Sequence, residues 1–170
     1  MEWETYMTQA LELARQGGAL GEIPVGAVVV KDGAVIGRGF NRRETDHDAT
    51  AHAEVLAIRD ACQTLGGWRL DGCALFVTLE PCPMCTGAIL QSRLSRVVYG
   101  AADPKAGCCG GLLALTEENF DTHPAIYAGV LEQECAALLR DFFAGRRRAS
   151  EKLKIFCGFN TFVTNSPKLL

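Results

Sequence analysis

The 170-residue sequence predicts an α/β layered domain, and three observations carry that prediction. Two short apolar runs open it as a hairpin, strand-like and helix-like stretches alternate afterwards, and glycines or prolines mark the changes. A hydrophobic share of 48% suits one compact unit with a full core, and neither a repeat nor an internal linker divides it.

Trp3, Tyr6, Met7, Ala10, Leu13 and Ala14 recur at helical spacing, and Gly17 and Gly18 stop that helix. "PVGAVVVK", Asp32-Gly33 and "AVIGRGF" read as a hairpin around a tight turn. Residues 41 to 49 are polar and read as a loop. A helix then spans residues 51 to 65, beginning near Thr50 as its cap and ending at Gly66-Gly67. "CALFVTL" suits a buried strand, and Pro81 suits the first turn of a helix reaching residue 92. "RVVYGA" is a further strand. Residues 102 to 130 resist assignment, apart from a short strand at 126 to 130. "EQECAALLRDFFAGRRR" is a strong helix with a basic end. The last stretch, "IFCGFNTFVTNSPKLL", lacks a helical period and reads as a docked tail, an extra strand or a disordered end.

The formal charge of -3 gives no global field that would advertise nucleic acid, although a local basic patch remains compatible with it. No apolar run reaches the ~18 residues of a membrane span, and the amphipathic start is unlike a signal sequence. A cytoplasmic location is therefore expected, with no membrane partner. In that setting eight cysteines point to metal, catalysis or core rather than to disulfides. Cys62, Cys73 and Cys135 have apolar neighbours and read as core, and Cys108-Cys109 in "GCCGG" read as tight loop packing.

Cys82 and Cys85 are different. Catalytic zinc takes three protein ligands and keeps one position open, so a Cys-x-x-Cys pair needs one more donor. The chain has three histidines. His123 lies in irregular sequence and His47 in the polar loop. His52 stands at a helix start, in "TAHAEV", with Glu54 two residues on. Both helix N-termini would lower thiol pKa and could meet at one sheet edge. In a regular helix, however, residues two apart point about 200° apart. His52 and Glu54 then share a site only if the cavity wraps around the first turn. A redox pair or half of a structural ribbon are the competing readings, but no second cysteine pair has ribbon spacing.

Zinc held by one His and two Cys brings its water toward a pKa of ~7, and Glu54 beside it can move protons as general acid and base. His-x-Glu followed by Pro-Cys-x-x-Cys is the signature of zinc nucleobase deaminases. With "EIPVGAVVV", "GFN", "TAHAE", "TLEPCPMCTGAI", "RVVYGAADPKAG" and "ECAALLRDFF", the chain to about residue 148 resembles the bacterial tRNA-specific adenosine deaminases. These enzymes make inosine at the wobble position.

The resemblance implies a three-layer α/β/α cytidine-deaminase-like fold with a central five-stranded mixed sheet. It also implies one Zn2+ per subunit, and a homodimer whose tRNA surface uses both subunits. His52, Cys82 and Cys85 match the zinc ligands and Glu54 the proton shuttle. Asn41 matches the side chain that bonds the flipped adenine; without the resemblance it reads as a turn residue. Asp103 and Lys105 match a loop beside the target nucleotide, the aspartate at the neighbouring ribose. Phe142, Phe143, Arg146 and Arg147 match the RNA-contacting end of the last helix. Arg42, Arg43 and Arg148 could extend a phosphate-binding face, while a solvated helix end explains the arginines equally well.

Ala49 stands where the family often has proline. Residues 1–150 are expected to form the deaminase domain, and residues 151–170 extend beyond the resemblance. The expected activity is deamination of A34 in the anticodon stem-loop of a tRNA, with arginine tRNA as the candidate. Zinc-dependent deamination of free guanine or a cytosine nucleotide is the alternative, and a zinc-stabilised RNA-binding module a third reading.

Overall fold

The computed structural model describes residues 2–160, giving only the backbone course of 150–160; Met1 and residues 161–170 lie outside the described residues. Helix α1 (Glu2–Ala19) buries Tyr6, Met7, Ala10, Leu11 and Ala14; Trp3 and Leu13 of the predicted stripe are only partly buried, and Gly17 and Gly18 lie within the helix rather than stopping it. Strands β1 (Gly26–Lys31) and β2 (Ala34–Phe40) form the expected hairpin. Asp32 and Gly33 both take positive φ, 48° and 79°, as a two-residue turn between twisted strands requires.

The polar stretch read as a loop contains a one-turn helix, α2 (Arg43–Asp46). Its first N–H groups are satisfied from outside the turn. The Glu22 carboxylate accepts from Glu44 N–H at 3.3 Å and Thr45 N–H at 2.7 Å. No local sequence pattern could show that distant cap.

Helix α3 (Ala53–Leu65) starts later than expected, with His52 rather than Thr50 at the N-cap. Thr50 turns back instead, both its N–H and its hydroxyl bonding Asp48. Gly66, left-handed at φ 68°, closes the helix. Strand β3 (Ala74–Leu79) leads to helix α4 (Pro83–Gln91), whose N-cap is Cys82. Pro83 rather than Pro81 therefore occupies the first helical position. Strand β4 (Arg96–Ala101) follows as expected, and β5 (Ala125–Ala128) starts one residue before and ends two residues before the strand expected at 126 to 130.

The final helix, α5 (Glu132–Asn160), runs well past its basic segment. Of the last stretch, residues 155–160 continue this helix in their backbone rather than forming a strand, and its remaining residues lie outside the described residues. "RRRASEKLK" consists largely of good helix formers, which carry the turn forward where apolar periodicity is missing. The boundary expected near residue 150 falls inside α5, and residues 161–170 of the expected extension lie outside the described residues.

The sheet order is β2-β1-β3-β4-β5, with β1 antiparallel to β2 and β3 and the β3-β4 and β4-β5 pairs parallel. Alternating residues feed two cores. Ala27, Val29, Leu75, Val77 and Val97 pack against Ala53, Ala57, Ile58 and Ala61 of α3 and Ile89 of α4. Val28, Val30, Phe76 and Val98 pack against Tyr6, Met7 and Ala10 of α1 and Cys135 of α5. The result is the expected three-layer α/β/α arrangement. Cys73 and Cys135 belong to these cores, and Cys62 is only partly buried at the edge of one.

One close approach sets the site. A side chain at Gly39 of β2 would overlap Ala53 O and the Ala57 N–H. Its absence lets the first turn of α3 rest on the sheet, with His52 fixed at the end.

Candidate active site

His52 and Cys82 are N-caps of neighbouring helices on one face of the sheet, and Cys85 sits in the first turn of α4. His52 Nδ1 lies 3.6 Å from Cys82 Sγ and 3.4 Å from Cys85 Sγ. Tetrahedral zinc, with bonds of ~2.3 Å to sulfur and ~2.0 Å to nitrogen, sets sulfur and nitrogen roughly 3.5 Å apart. The donor set and spacing fit the ion. Among the described residues, this is the one His/Cys/Asp/Glu group whose donor atoms converge closely enough to hold a metal.

The electrostatics agree. A bond from the Cys85 thiol, with His52 alongside, brings the Cys82 thiol down to about 4 despite its burial. His52 is raised by its bond to Cys82. Cys85 carries the shared proton and is pushed up, first by that bond and then by burial. A lowered thiol at a helix N-terminus favours the thiolate form that binds a cation.

Because His52 precedes the helix, at φ -80° and ψ 151°, the opposed directions expected of residues two apart in a helix do not apply. Glu54, 4% exposed, lies in the first turn of α3 and takes bonds from its own N–H and the Cys85 thiol. Burial pushes its carboxyl up to about 7. Asn41, 7% exposed, is bonded to the residue between His52 and Glu54 in sequence: its Oδ1 accepts the Ala53 N–H at 3.0 Å and its Nδ2 donates to Ile23 O at 3.1 Å. Those bonds fix the amide while leaving one N–H and one lone pair free of them.

Asp103, Lys105, Phe143 and Arg147 line one groove of 940 Å³, with Ile23 and Leu79 on its wall. Asp103 Oδ1 caps its own loop, accepting from Lys105 N–H at 2.9 Å and Ala106 N–H at 3.3 Å. Phe142 and Arg146 are placed differently. Arg146 stands over the Phe142 ring and donates to Gly21 O at 2.9 Å, tying α5 to the end of α1. Arg42 forms a double bond pair with Asp46, at 2.8 and 2.7 Å. His123 does not join the converging donors, its Nδ1 lying 3.2 Å from Thr116 O.

Two buried carboxylates escaped the sequence reading. Glu22 holds α2, and Glu80 holds the loop from Asp103 to Gly111. Each had a signal: a lone acid inside an apolar run, "GEIPVG" and "FVTLEP", is costly to bury without a purpose.

Comparison with known proteins places this site in a family. Residues 1–101 match the model of the cytidine and deoxycytidylate deaminase zinc-binding region. A tRNA-specific adenosine deaminase of Bacillus subtilis is 49% identical over 85% of this chain and 91% of its own length. A solved structure from studies of A-to-I editing by tRNA:A34 deaminases at the wobble position is 46% identical, covers 79% of this chain and 99% of that one, and superposes with a TM-score of 0.76. A guanine deaminase of Bacillus subtilis, 35% identical over 98% of both chains, superposes at 0.58. Motif, metal-ready geometry and likeness over most of the length agree, and the chain belongs to the zinc-binding deaminases, in the family of the tRNA-specific adenosine deaminases.

Proposed function

We propose that the protein is a zinc-dependent hydrolase that converts adenosine to inosine at wobble position 34 of tRNA. The observation that carries this reading is the fixed sequence of groups in space: Asn41 bonded to Ala53, between His52 and Glu54, beside the two thiols. His52, Cys82 and Cys85 would hold one zinc ion per subunit, which when bound would supply an acidified water at neutral pH.

The chain's own groups do the rest. Glu54 takes the water proton as oxygen bonds to C6 and hands it to N1 of the purine. It then takes the remaining proton from the new C6 hydroxyl and delivers it to the departing amine, so that the C6–N bond breaks, the C6 carbonyl of inosine forms and ammonia leaves. A carboxyl near 7 suits a group that must accept and return a proton at neutral pH. The remaining N–H and lone pair of Asn41 read the edge of the flipped base. Asp103 meets the neighbouring ribose, Lys105 and Arg147 the phosphates, and Phe143 offers a stacking face. Phe142 and Arg146 shape that wall from behind.

The same reading makes the substrate the anticodon stem-loop, with arginine tRNA as the candidate, and the working unit a homodimer in the cytoplasm. Among the described residues, no helix is long and apolar enough to cross a membrane. Residues 1–150 form the deaminase domain, and 151–170 are an extension to it. Deamination of a free base is the second reading, favoured by the guanine deaminase likeness over nearly the whole chain.

Purified zinc-loaded protein should be given an anticodon stem-loop with adenosine at position 34, free guanine and cytidine. Inosine in the RNA, with the free substrates unchanged, is expected. Turnover of guanine or cytidine without inosine would replace the first reading by the second.

A further inference from the structure

Glu80 is a buried carboxylate that the mechanism does not use. It is 2% exposed and sits two residues before Cys82, where β3 gives way to α4. Its Oε1 accepts the N–H groups of Cys109 at 3.0 Å and Gly111 at 2.8 Å, and its Oε2 accepts that of Asp103 at 3.0 Å. Beside it, Pro81 O accepts the Cys108 N–H at 2.9 Å. The loop from Asp103 to Gly111 is thus wound around one anion. Side chains at Gly107 or Gly111 would overlap the carboxylate, so the first and last glycines of "GCCGG" permit the close approach.

A loop can be anchored by apolar packing at less cost than by a buried charge, so this anchor's geometry is informative. Its single Oε2 bond goes to Asp103, the residue at the mouth of the groove shared with Lys105 and Arg147. The same carboxylate is joined through two peptide bonds to a metal-site thiol. We infer that Glu80 is a positioning residue, setting the Asp103–Lys105 end of the loop at a fixed distance from the Cys82 junction so that groove and reacting centre take the RNA in one register. This rests on the proposed deaminase reading and adds a residue to it.

Glu80→Gln separates that role from a general structural one. The amide oxygen can keep the Cys109 and Gly111 bonds, which leaves the NH₂ facing the Asp103 N–H, donor against donor. For the zinc-loaded protein and an A34 stem-loop, KM should rise about tenfold while kcat stays within about twofold, the size of one lost charge-assisted bond. Zinc content should be unchanged, and amide exchange at Asp103 should quicken.

Asp103→Ala should also raise KM, and the double variant should be no worse than Asp103→Ala alone, because both changes break one linkage. Should Glu80→Gln fail to fold, Gly111→Ala provides the same cycle, since its Cβ displaces the carboxylate from an exposed loop position. Additive effects on KM, or a fall in kcat with KM unchanged, would overturn the inference. A wild-type protein that makes no inosine would remove the deaminase reading itself; an active one whose KM ignores Glu80 removes only this assignment.

Discussion

Glu22 and Glu54 are two carboxylates with little exposed surface, 2% and 4%, but Glu22 lies just beneath the surface and Glu54 deep among packed atoms, and their proton affinities shift in opposite directions. Burial pushes Glu22 up, but the Thr45 hydroxyl at 2.7 Å and the Thr45 and Glu44 N–H groups together outweigh it and hold the acid below its ordinary value. At Glu54 burial prevails and the carboxyl rises to about 7. Asn41 joins the two neighbourhoods, donating next to Glu22 at Ile23 and accepting next to Glu54 at Ala53. Burial alone therefore does not mark a catalytic acid. Depth and the supply of fixed donors together decide whether a carboxylate becomes a clamp or a proton carrier.

The contrast can be broken most severely at the metal. Cys82→Ala should lose bound zinc and all turnover, and stripping zinc from the wild type with a chelator should do the same. If zinc is supplied at a thousandfold over its Kd, its removal should cost about 4 kcal/mol of stability. Metal analysis with thermal unfolding checks this, and a Cys82→Ala protein that kept stoichiometric zinc would contradict the ligand assignment.

Glu22→Gln acts on the clamp alone. It should cost about 1–3 kcal/mol at neutral pH, read as a lower urea midpoint, because α2 loses a charged cap. The sign with pH is defined: the folded pKa of Glu22 lies below 4.5, so its stabilisation is present above that value and is lost as pH falls through the lowered one. Wild type and variant should converge in acid. A gap that persists unchanged at low pH would show that the charge is not what matters.

Smaller effects fall on the groove. Asp103→Ala should narrow the preference for an RNA stem-loop over one with a 2′-deoxy neighbour by roughly fivefold, the worth of one hydrogen bond. Arg147→Ala should weaken RNA binding at all sequences and reduce the salt slope by about 1. The parallel change at Arg146, which is occupied by Gly21 and Phe142, should leave that slope nearly unaltered and loosen the α1–α5 contact instead.

What the sequence reveals follows from the range of each interaction. The hairpin, the strands that follow it and the convergence of His52 with Cys82 and Cys85 are legible because alternation, a glycine turn and a Cys-x-x-Cys spacing are local patterns. The start of α3 is misplaced by sequence because Thr50 is a plausible cap whose hydroxyl is taken by Asp48. Helix α2 is missed because its cap is Glu22, from the far side of a hairpin. Glu80 was hidden for the same reason: its partners lie 23 to 31 residues on. Arg146 and Arg147 are adjacent and alike in sequence, and only the fold separates a tether from a groove cation.

The most direct test sets Glu54→Gln beside Glu22→Gln, both zinc-loaded and folded at neutral pH, and measures inosine at position 34 of the stem-loop. Glu54→Gln should retain its zinc and lose about 10²–10⁴ in rate, whereas Glu22→Gln should retain most turnover and lose stability. Wild-type rates from Glu54→Gln, with zinc in place, would contradict the account.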